Sequence, residues 1–184
     1  MALQVTIFKF KIELSDIDRG IYQNLDFRLA MHPSETPTYM LCRVLAYALN
    51  FQEGLDFSPQ GLSDPDVPAL IGASMQGQIH LWIEIGSPSA KKLHKASKAA
   101  KLVKVYTYKD PKALAKELLS QAVYRLDEIE IYYIHPRQLE TLESVLARDN
   151  RWSLVVMDGT VTVGYSTAQG EQTVVIELAR LNIV

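Results

Sequence analysis

Two acidic residues, Asp66 and Glu84, stand with seventeen residues between them and could support metal-dependent chemistry. Glu84 lies in the apolar segment 79–85, where an unpaired charge is costly. Mg²⁺ usually binds one or two protein carboxylates and keeps several waters. The pair therefore predicts a site for a hard cation such as Mg²⁺ that supports hydrolysis, with Asp66 and Glu84 as metal ligands. The alternative is that Asp66 makes a turn and Glu84 is a solvated strand residue.

Residues 85–109 contain seven lysines and no acidic residue. Lys91, Lys95 and Lys98 fall on one face of a predicted helix, where like charges repel and the helix dipole disfavours cations in the first turn. One interpretation is a phosphate-attracting face beside the carboxylates. Lys91 or Lys95 would then be the catalytic cation, and Lys92 and Lys98 would contact substrate. The other interpretation is an ordinary solvated surface.

Composition sets limits on the class of protein. The 184 residues carry a net charge of −2, which argues against broad coating of nucleic acid. No segment reaches the roughly 20 apolar residues of a membrane helix, and the start of the chain does not resemble a signal peptide. The single cysteine, Cys42, excludes an intrachain disulfide and suits a reducing compartment. We therefore expect a bacterial-type cytoplasmic protein without membrane partners.

Hydrophobic periodicity and turn residues predict an α/β protein. An N-terminal hairpin (4–14 and 21–31) precedes a helix that ends near residue 50, and 53–68 is predicted as an irregular loop. Ser87 is predicted to cap the lysine helix, with Pro88 in its first position. The remaining predicted strands are 69–71, 79–85, 102–108, 129–134, 152–157, 160–165 and 173–181, and the remaining helices are 111–122 and 136–147. The βαβα rhythm predicts parallel strands, and the last three strands predict an antiparallel meander.

The chain resembles the YaeQ family of bacterial proteins in segments 32–36, 66–70 and 81–86 and in Lys91, Lys95 and Ala96. This likeness extends over essentially the whole chain. It implies a single domain over 1–184, with a mixed β-sheet flanked by helices. The implied fold is a variant of the PD-(D/E)XK, restriction-endonuclease-like fold with an extra N-terminal hairpin and C-terminal antiparallel strands. The resemblance brings no established activity.

The resemblance also implies roles for individual residues. Asp66 and Glu84 correspond to the two carboxylates of the nuclease motif, and Glu35 corresponds to an acidic residue that many members place on their first helix. Gly86 departs from the pattern, because a lysine there would orient the attacking water. Some superfamily members supply that lysine from the following helix, as Lys91 or Lys95 would here.

Two further residues would support Glu35. His32 lies three residues before it, and Arg43 lies on the same predicted helical face, where it would pair with Glu35 or contact phosphate. The leading prediction is a Mg²⁺- or Mn²⁺-dependent nuclease acting on nucleic acid. The alternative is a catalytically silent member of the fold that binds nucleic acid or a protein partner in a regulatory role. Nothing in the residues favours a small-molecule enzyme.

Overall fold

The computed structural model describes residues 5–59, 64 and 66–183 of the chain. In chain order, the strands and α-helices of these residues are β1 (Thr6–Asp16), β2 (Ile21–Met31), α1 (Pro37–Leu49), β3 (Leu55–Phe57), β4 (Leu70–Ala73), β5 (Ile79–Ile85), α2 (Ala90–Ala99), β6 (Leu102–Thr107), α3 (Pro111–Leu119), β7 (Glu130–Ile134), α4 (Pro136–Ser144), β8 (Asp149–Met157), β9 (Thr160–Thr167) and β10 (Gly170–Leu181). A short 3₁₀ helix (Leu126–Glu128) precedes β7. No helix of the described ranges is both long and apolar enough to cross a membrane.

The chain forms two compact units. The first contains the residues up to Leu41 together with His135–Leu178, and the second contains Cys42–Ile134 together with the residues from Ala179 onward. Helix α1 and strand β10 each begin in the first unit and end in the second. Since these elements are continuous across the boundary, the division does not by itself define two domains, and the single domain over 1–184 stays a prediction.

The first unit is built on strands in the order β2-β1-β8-β9-β10. β1 pairs antiparallel with β2 and parallel with β8, and β8, β9 and β10 form an antiparallel meander. Buried and exposed residues alternate along β1 and β8, as expected for strands that cover a core with one face. Phe10 and Trp152 meet edge to face in that core, with ring centroids 5.3 Å apart.

The second unit is built on strands in the order β7-β6-β5-β4-β3. β5, β6 and β7 are parallel, whereas β4 and β3 continue the sheet in antiparallel fashion. An apolar cluster joins one face of this sheet to α2 and α3, and it includes Trp82, Leu93, Val103, Val105 and Leu118. The last five residues of β5 are buried, as is typical of an interior strand of a parallel sheet.

The α/β class and the mixed sheet pairing are confirmed, as are the N-terminal hairpin and the C-terminal meander. Helices α3 and α4 each end three residues earlier than predicted. Two further local predictions were wrong. The segment predicted as an irregular loop contains β3, because the backbone of Leu55–Phe57 pairs with β4. Helix α2 starts at Ala90, two residues later than predicted, because Ser89 rather than Ser87 is its N-cap and accepts a hydrogen bond from the Lys92 N–H (3.2 Å).

Candidate functional site

Glu84 is a buried acid with partners at both carboxylate oxygens. Its side chain is 3% exposed, and Oε2 lies 2.9 Å from Nζ of Lys92. Oε1 accepts a hydrogen bond of 2.7 Å from the indole Nε1–H of Trp82. Hydrogen bonds that involve a charged group are shorter and stronger than neutral ones. The three side chains therefore form a charged, hydrogen-bonded site inside an apolar region.

The secondary structure of the second unit positions this site. Trp82 and Glu84 are two residues apart on β5 and lie on the same face of the sheet, opposite Val103 and Val105 of β6. Helix α2 covers this face with its buried residues Ala90, Leu93, Ala96 and Ser97. Lys92 lies at the border of that buried stripe, where its stem is covered while its amine reaches Glu84.

Burial controls the electrostatics of Glu84. Removal of the carboxylate from water raises its pKa, whereas the charge and hydrogen bond of Lys92 and the hydrogen bond from Trp82 lower it. The net result is a pKa above the ordinary value of 4.5. The ionised form of Glu84 therefore depends on Lys92 for compensation.

Asp66 forms a second acid–lysine pair, with another lysine of helix α2. Its Oδ1 lies 3.2 Å from Nζ of Lys95, and both side chains are largely exposed. The backbone N–H of Asp66 donates to Oδ1 of Asp64 (2.8 Å), so Asp66 also belongs to a local turn. Lys92 and Lys95 are three positions apart, and side chains at that spacing are neighbours on a helix surface. The two predicted carboxylates are thus paired with adjacent lysines of α2.

The lysine at Glu84 differs from the two that the sequence suggested. Within the described ranges, Lys92 is the lysine that forms an ion pair with Glu84, whereas Lys91, Lys95 and Lys98 are exposed. The i, i+4, i+7 pattern selected the solvated face of the helix. A position flanking the apolar stripe of Ala90, Leu93 and Ala96 was the better indicator, since only such a residue can reach a buried acid beneath the helix.

Glu35 belongs to the first unit and lies two residues before α1, not on it. It is 7% exposed, and its Oε2 accepts a hydrogen bond of 3.0 Å from the backbone N–H of His32. The His32 ring instead contacts Ser34, whose backbone N–H lies 3.2 Å from Nδ1. Arg43 belongs to the second unit, where its guanidinium carbon lies 5.9 Å from the centre of the Phe57 ring. The roles suggested for Glu35, His32 and Arg43 stay predictions.

Gly86 adopts a backbone conformation that disfavours a lysine. Its φ is +84°, in the left-handed region that costs an L-residue roughly 1–2 kcal/mol. Its N–H donates to the carbonyl of Tyr106 (2.9 Å), which fixes the end of β5. This turn directs the chain towards α2, so a residue at 86 does not continue the alternation of Trp82 and Glu84.

The acidic residues near α2 suit a divalent cation that keeps its waters better than a metal ion held by three or more protein side chains. In the part of the chain that the structure describes, no three His, Cys, Asp or Glu side chains are grouped to hold a metal ion. Each Glu84 oxygen has one of the partners described above, but a carboxylate has about four lone-pair sites and keeps capacity for more. A cation that takes one or two carboxylates and retains its waters is the kind that Glu84 and Asp66 would hold, and this metal site stays a prediction.

Cys42 takes no part in this chemistry. It is fully buried, and burial raises the pKa of its thiol, so the nucleophilic thiolate is suppressed.

The fold and the buried acid–lysine pair define an α/β protein with a charged site beneath a helix, and comparisons with known proteins identify its family. The sequence model described as YaeQ protein matches residues 1–176. The chain is 30% identical over 162 residues to the uncharacterized protein YaeQ of Escherichia coli strain K12, covering 88% of this chain and 89% of that protein. The YaeQ protein of Shigella flexneri gives the same values. The chain therefore belongs to the YaeQ family.

Solved structures agree with this assignment. The crystal structure of the YaeQ protein from Pseudomonas syringae matches with a TM-score of 0.86 and 32% identity, covering 97% of this chain and 96% of that one. The YaeQ protein from Xanthomonas axonopodis pv. citri matches with a TM-score of 0.84 and 28% identity, covering 97% and 100%.

Proposed function

We propose that this protein is a Mg²⁺- or Mn²⁺-dependent phosphodiesterase that acts on nucleic acid, with Glu84 and Asp66 holding the metal. The observation that carries the proposal is the ion pair between the buried Glu84 and the partly buried Lys92, at 2.9 Å in an otherwise apolar layer. A buried ion pair often adds less stability than packed apolar side chains of the same volume would. A role in chemistry explains why such a pair is present.

Each group has a distinct task in this mechanism. The cation would lower the pKa of a bound water and offset the charge of the phosphate. Lys92 would hold the Glu84 carboxylate in its ionised form and donate from Nζ towards the phosphate oxygen on which negative charge develops. The exposed Lys91, Lys95 and Lys98 would contact flanking phosphates.

Metal binding is the first test, and the chain offers a matched control. Glu130 pairs with Lys104 at 3.0 Å in the same sheet. Lys104 lies opposite Ile83, so this second pair is on the other face from Glu84. Titration calorimetry with Mn²⁺ should give binding to the wild type and to Glu130→Gln, and none to Glu84→Gln. A wild type that binds neither Mn²⁺ nor Mg²⁺ would sink the proposal.

Cleavage is the second test. Wild type, Glu84→Gln and Lys92→Met would be compared on single-stranded, double-stranded and branched nucleic acids with Mn²⁺ or Mg²⁺. Loss of a group that stabilises developing charge lowers the rate by about 10²–10³. We expect a loss of at least that size in Lys92→Met, and no cleavage by Glu84→Gln. Equal cleavage by all three proteins would identify a contaminating nuclease.

Specific observations also favour a second candidate, a catalytically silent protein that binds nucleic acid or a protein partner in a regulatory role. Glu84 already has Lys92 and Trp82 as partners, and the described residues hold no three-ligand metal group. Nucleic-acid binding that persists in a chelator, without cleavage in any metal, would favour this candidate. Lys91→Gln and Lys98→Gln would each remove one cation from the phosphate backbone, so each should reduce the slope of log affinity against log salt by about 0.9.

A further inference from the structure

β2 is the outer strand of the sheet in the first unit. It pairs with β1 along all eleven of its residues, and none of the strands that the structure describes pairs with its other edge. An unpaired edge presents a row of backbone N–H and C=O groups that can accept another strand. Proteins commonly protect such edges by shortening them or by placing proline or a bulge in them. β2 has no proline, and its register with β1 is uninterrupted.

The charges on β2 are arranged in a self-complementary way. Asp26 and Arg28 lie two residues apart, so they share the exposed face of the strand. Asp26 is paired with Lys11 at 3.5 Å, whereas Arg28 lies directly opposite Lys9. Like charges that face each other across strands are unfavourable. Within the described ranges no acidic side chain forms an ion pair with Arg28.

We propose that β2 pairs antiparallel with β2 of a second copy of this chain, about a two-fold axis at Phe27. This register places Asp26 opposite Arg28 of the second copy, and the symmetry repeats that pair on the other side of the axis. Leu25 lies opposite Leu29 of the second copy. The occupant of the edge is therefore the chain itself, selected by charge complementarity.

Neighbouring registers are less favourable. An axis at Asp26 or at Arg28 places two like charges opposite each other, and an axis at Leu25 pairs Asp26 with Asn24. A two-fold axis that passes between two residues, rather than at a residue, would place the buried residues Leu25 and Leu29 opposite exposed ones, because side chains alternate between the faces of a strand. The axis at Phe27 satisfies both charges and keeps the apolar faces of the two sheets on the same side.

Sedimentation equilibrium of the full chain tests this interface. The wild type should form dimers, whereas Asp26→Arg and Arg28→Asp should each be monomeric at the same concentration. Each single change sets like charges opposite each other twice, so we expect dissociation constants raised by on the order of a hundredfold. The double swap Asp26→Arg with Arg28→Asp should restore the dimer. Glu177→Arg, an exposed charge reversal on β10, is the matched control and should leave dimerisation unchanged.

Mixing provides the sharpest readout. A chain with Asp26→Arg carries two cations on β2, and a chain with Arg28→Asp carries two anions, so both pairs are complementary in the heterodimer. The two monomeric variants should associate when mixed in equal amounts. Circular dichroism of each variant reports whether it has folded. A monomeric wild type at all accessible concentrations, single reversals that still dimerise, or folded variants that neither the swap nor the mixture brings together would each overturn the proposal.

Discussion

Nζ of Lys92 lies 2.9 Å from Oε2 of Glu84, and this contact joins helix α2 to the sheet beneath it. The same sheet contains a second acid–lysine pair, Lys104 with Glu130, at nearly the same distance of 3.0 Å. The two acids differ in burial, since the side chain of Glu84 is 3% exposed and that of Glu130 is 23% exposed. The burial of each acid therefore determines how much of the cost of removing its carboxylate from water the paired lysine must offset.

Lys92→Met should destabilise the protein through Glu84. The substitution keeps an unbranched apolar stem but leaves a buried carboxylate without its cation, which costs about 3 kcal/mol. Urea unfolding at neutral pH would measure the change in the free energy of unfolding. Lys95→Met is the matched control on the same helix, and we expect a change below about 1 kcal/mol because its pair with Asp66 is exposed. Equal effects of the two substitutions would contradict the assigned burial.

The two acids should give opposite dependences of stability on pH. The pKa of Glu84 is raised, chiefly by burial, so the folded state binds its proton more tightly than the unfolded state does. Its contribution is therefore fully present below about 4.5 and is lost as the pH rises through the folded-state pKa. The stability of the wild type relative to Glu84→Gln should rise as the pH is lowered from neutral to about 4.5.

For Glu130 the dependence of stability on pH has the opposite sign. Burial raises the pKa of Glu130, but Lys104, Tyr132 and Arg180 together lower it by more than burial raises it. The net shift is therefore downward from 4.5. Its contribution is present above 4.5 and is lost as the pH falls through the folded-state pKa. Denaturant unfolding between neutral pH and the acid limit of folding would compare the wild type with Glu130→Gln. If the stability of the wild type relative to Glu84→Gln and relative to Glu130→Gln changed with pH in the same direction, this assignment would be contradicted.

Trp82→Phe should show a cost that depends on pH. The change removes the indole donor to Glu84, and a buried acceptor that loses its hydrogen bond costs about 1–3 kcal/mol. Trp152→Phe, in the core of the first unit, loses aromatic packing without this donor. Unfolding measurements should give a cost for Trp82→Phe that is largest where Glu84 is ionised and smaller in acid, whereas the cost of Trp152→Phe should show no such dependence on Glu84.

Local periodicity predicts most of the elements, but it cannot identify contacts that depend on packing. β2 has the predicted bounds, because alternation and its turn are local signals. β3 escapes prediction because its three residues become a strand only by pairing with β4. Glu84 stands out because a charge within an apolar run is unusual. For its partner Lys92 the sequence predicts only a substrate contact, since the predicted helix starts two residues early and the exposed lysine stripe is the more visible pattern.

Gly86→Lys, which restores the residue of the nuclease pattern, should destabilise the protein and fail to replace Lys92. The φ of Gly86 is +84°, so any L-residue there is strained by roughly 1–2 kcal/mol, although open space surrounds the position. Gly77→Ala is the matched control, since Gly77 has a φ of +79° and equally open surroundings, and it should cost a similar amount. In a Lys92→Met background, Gly86→Lys should leave the pKa of Glu84 raised and the lost stability unrecovered, as measured by unfolding across pH. Recovery in that double variant would mean that position 86 can present a cation to Glu84, and that the turn into α2 does not dictate which lysine serves the site.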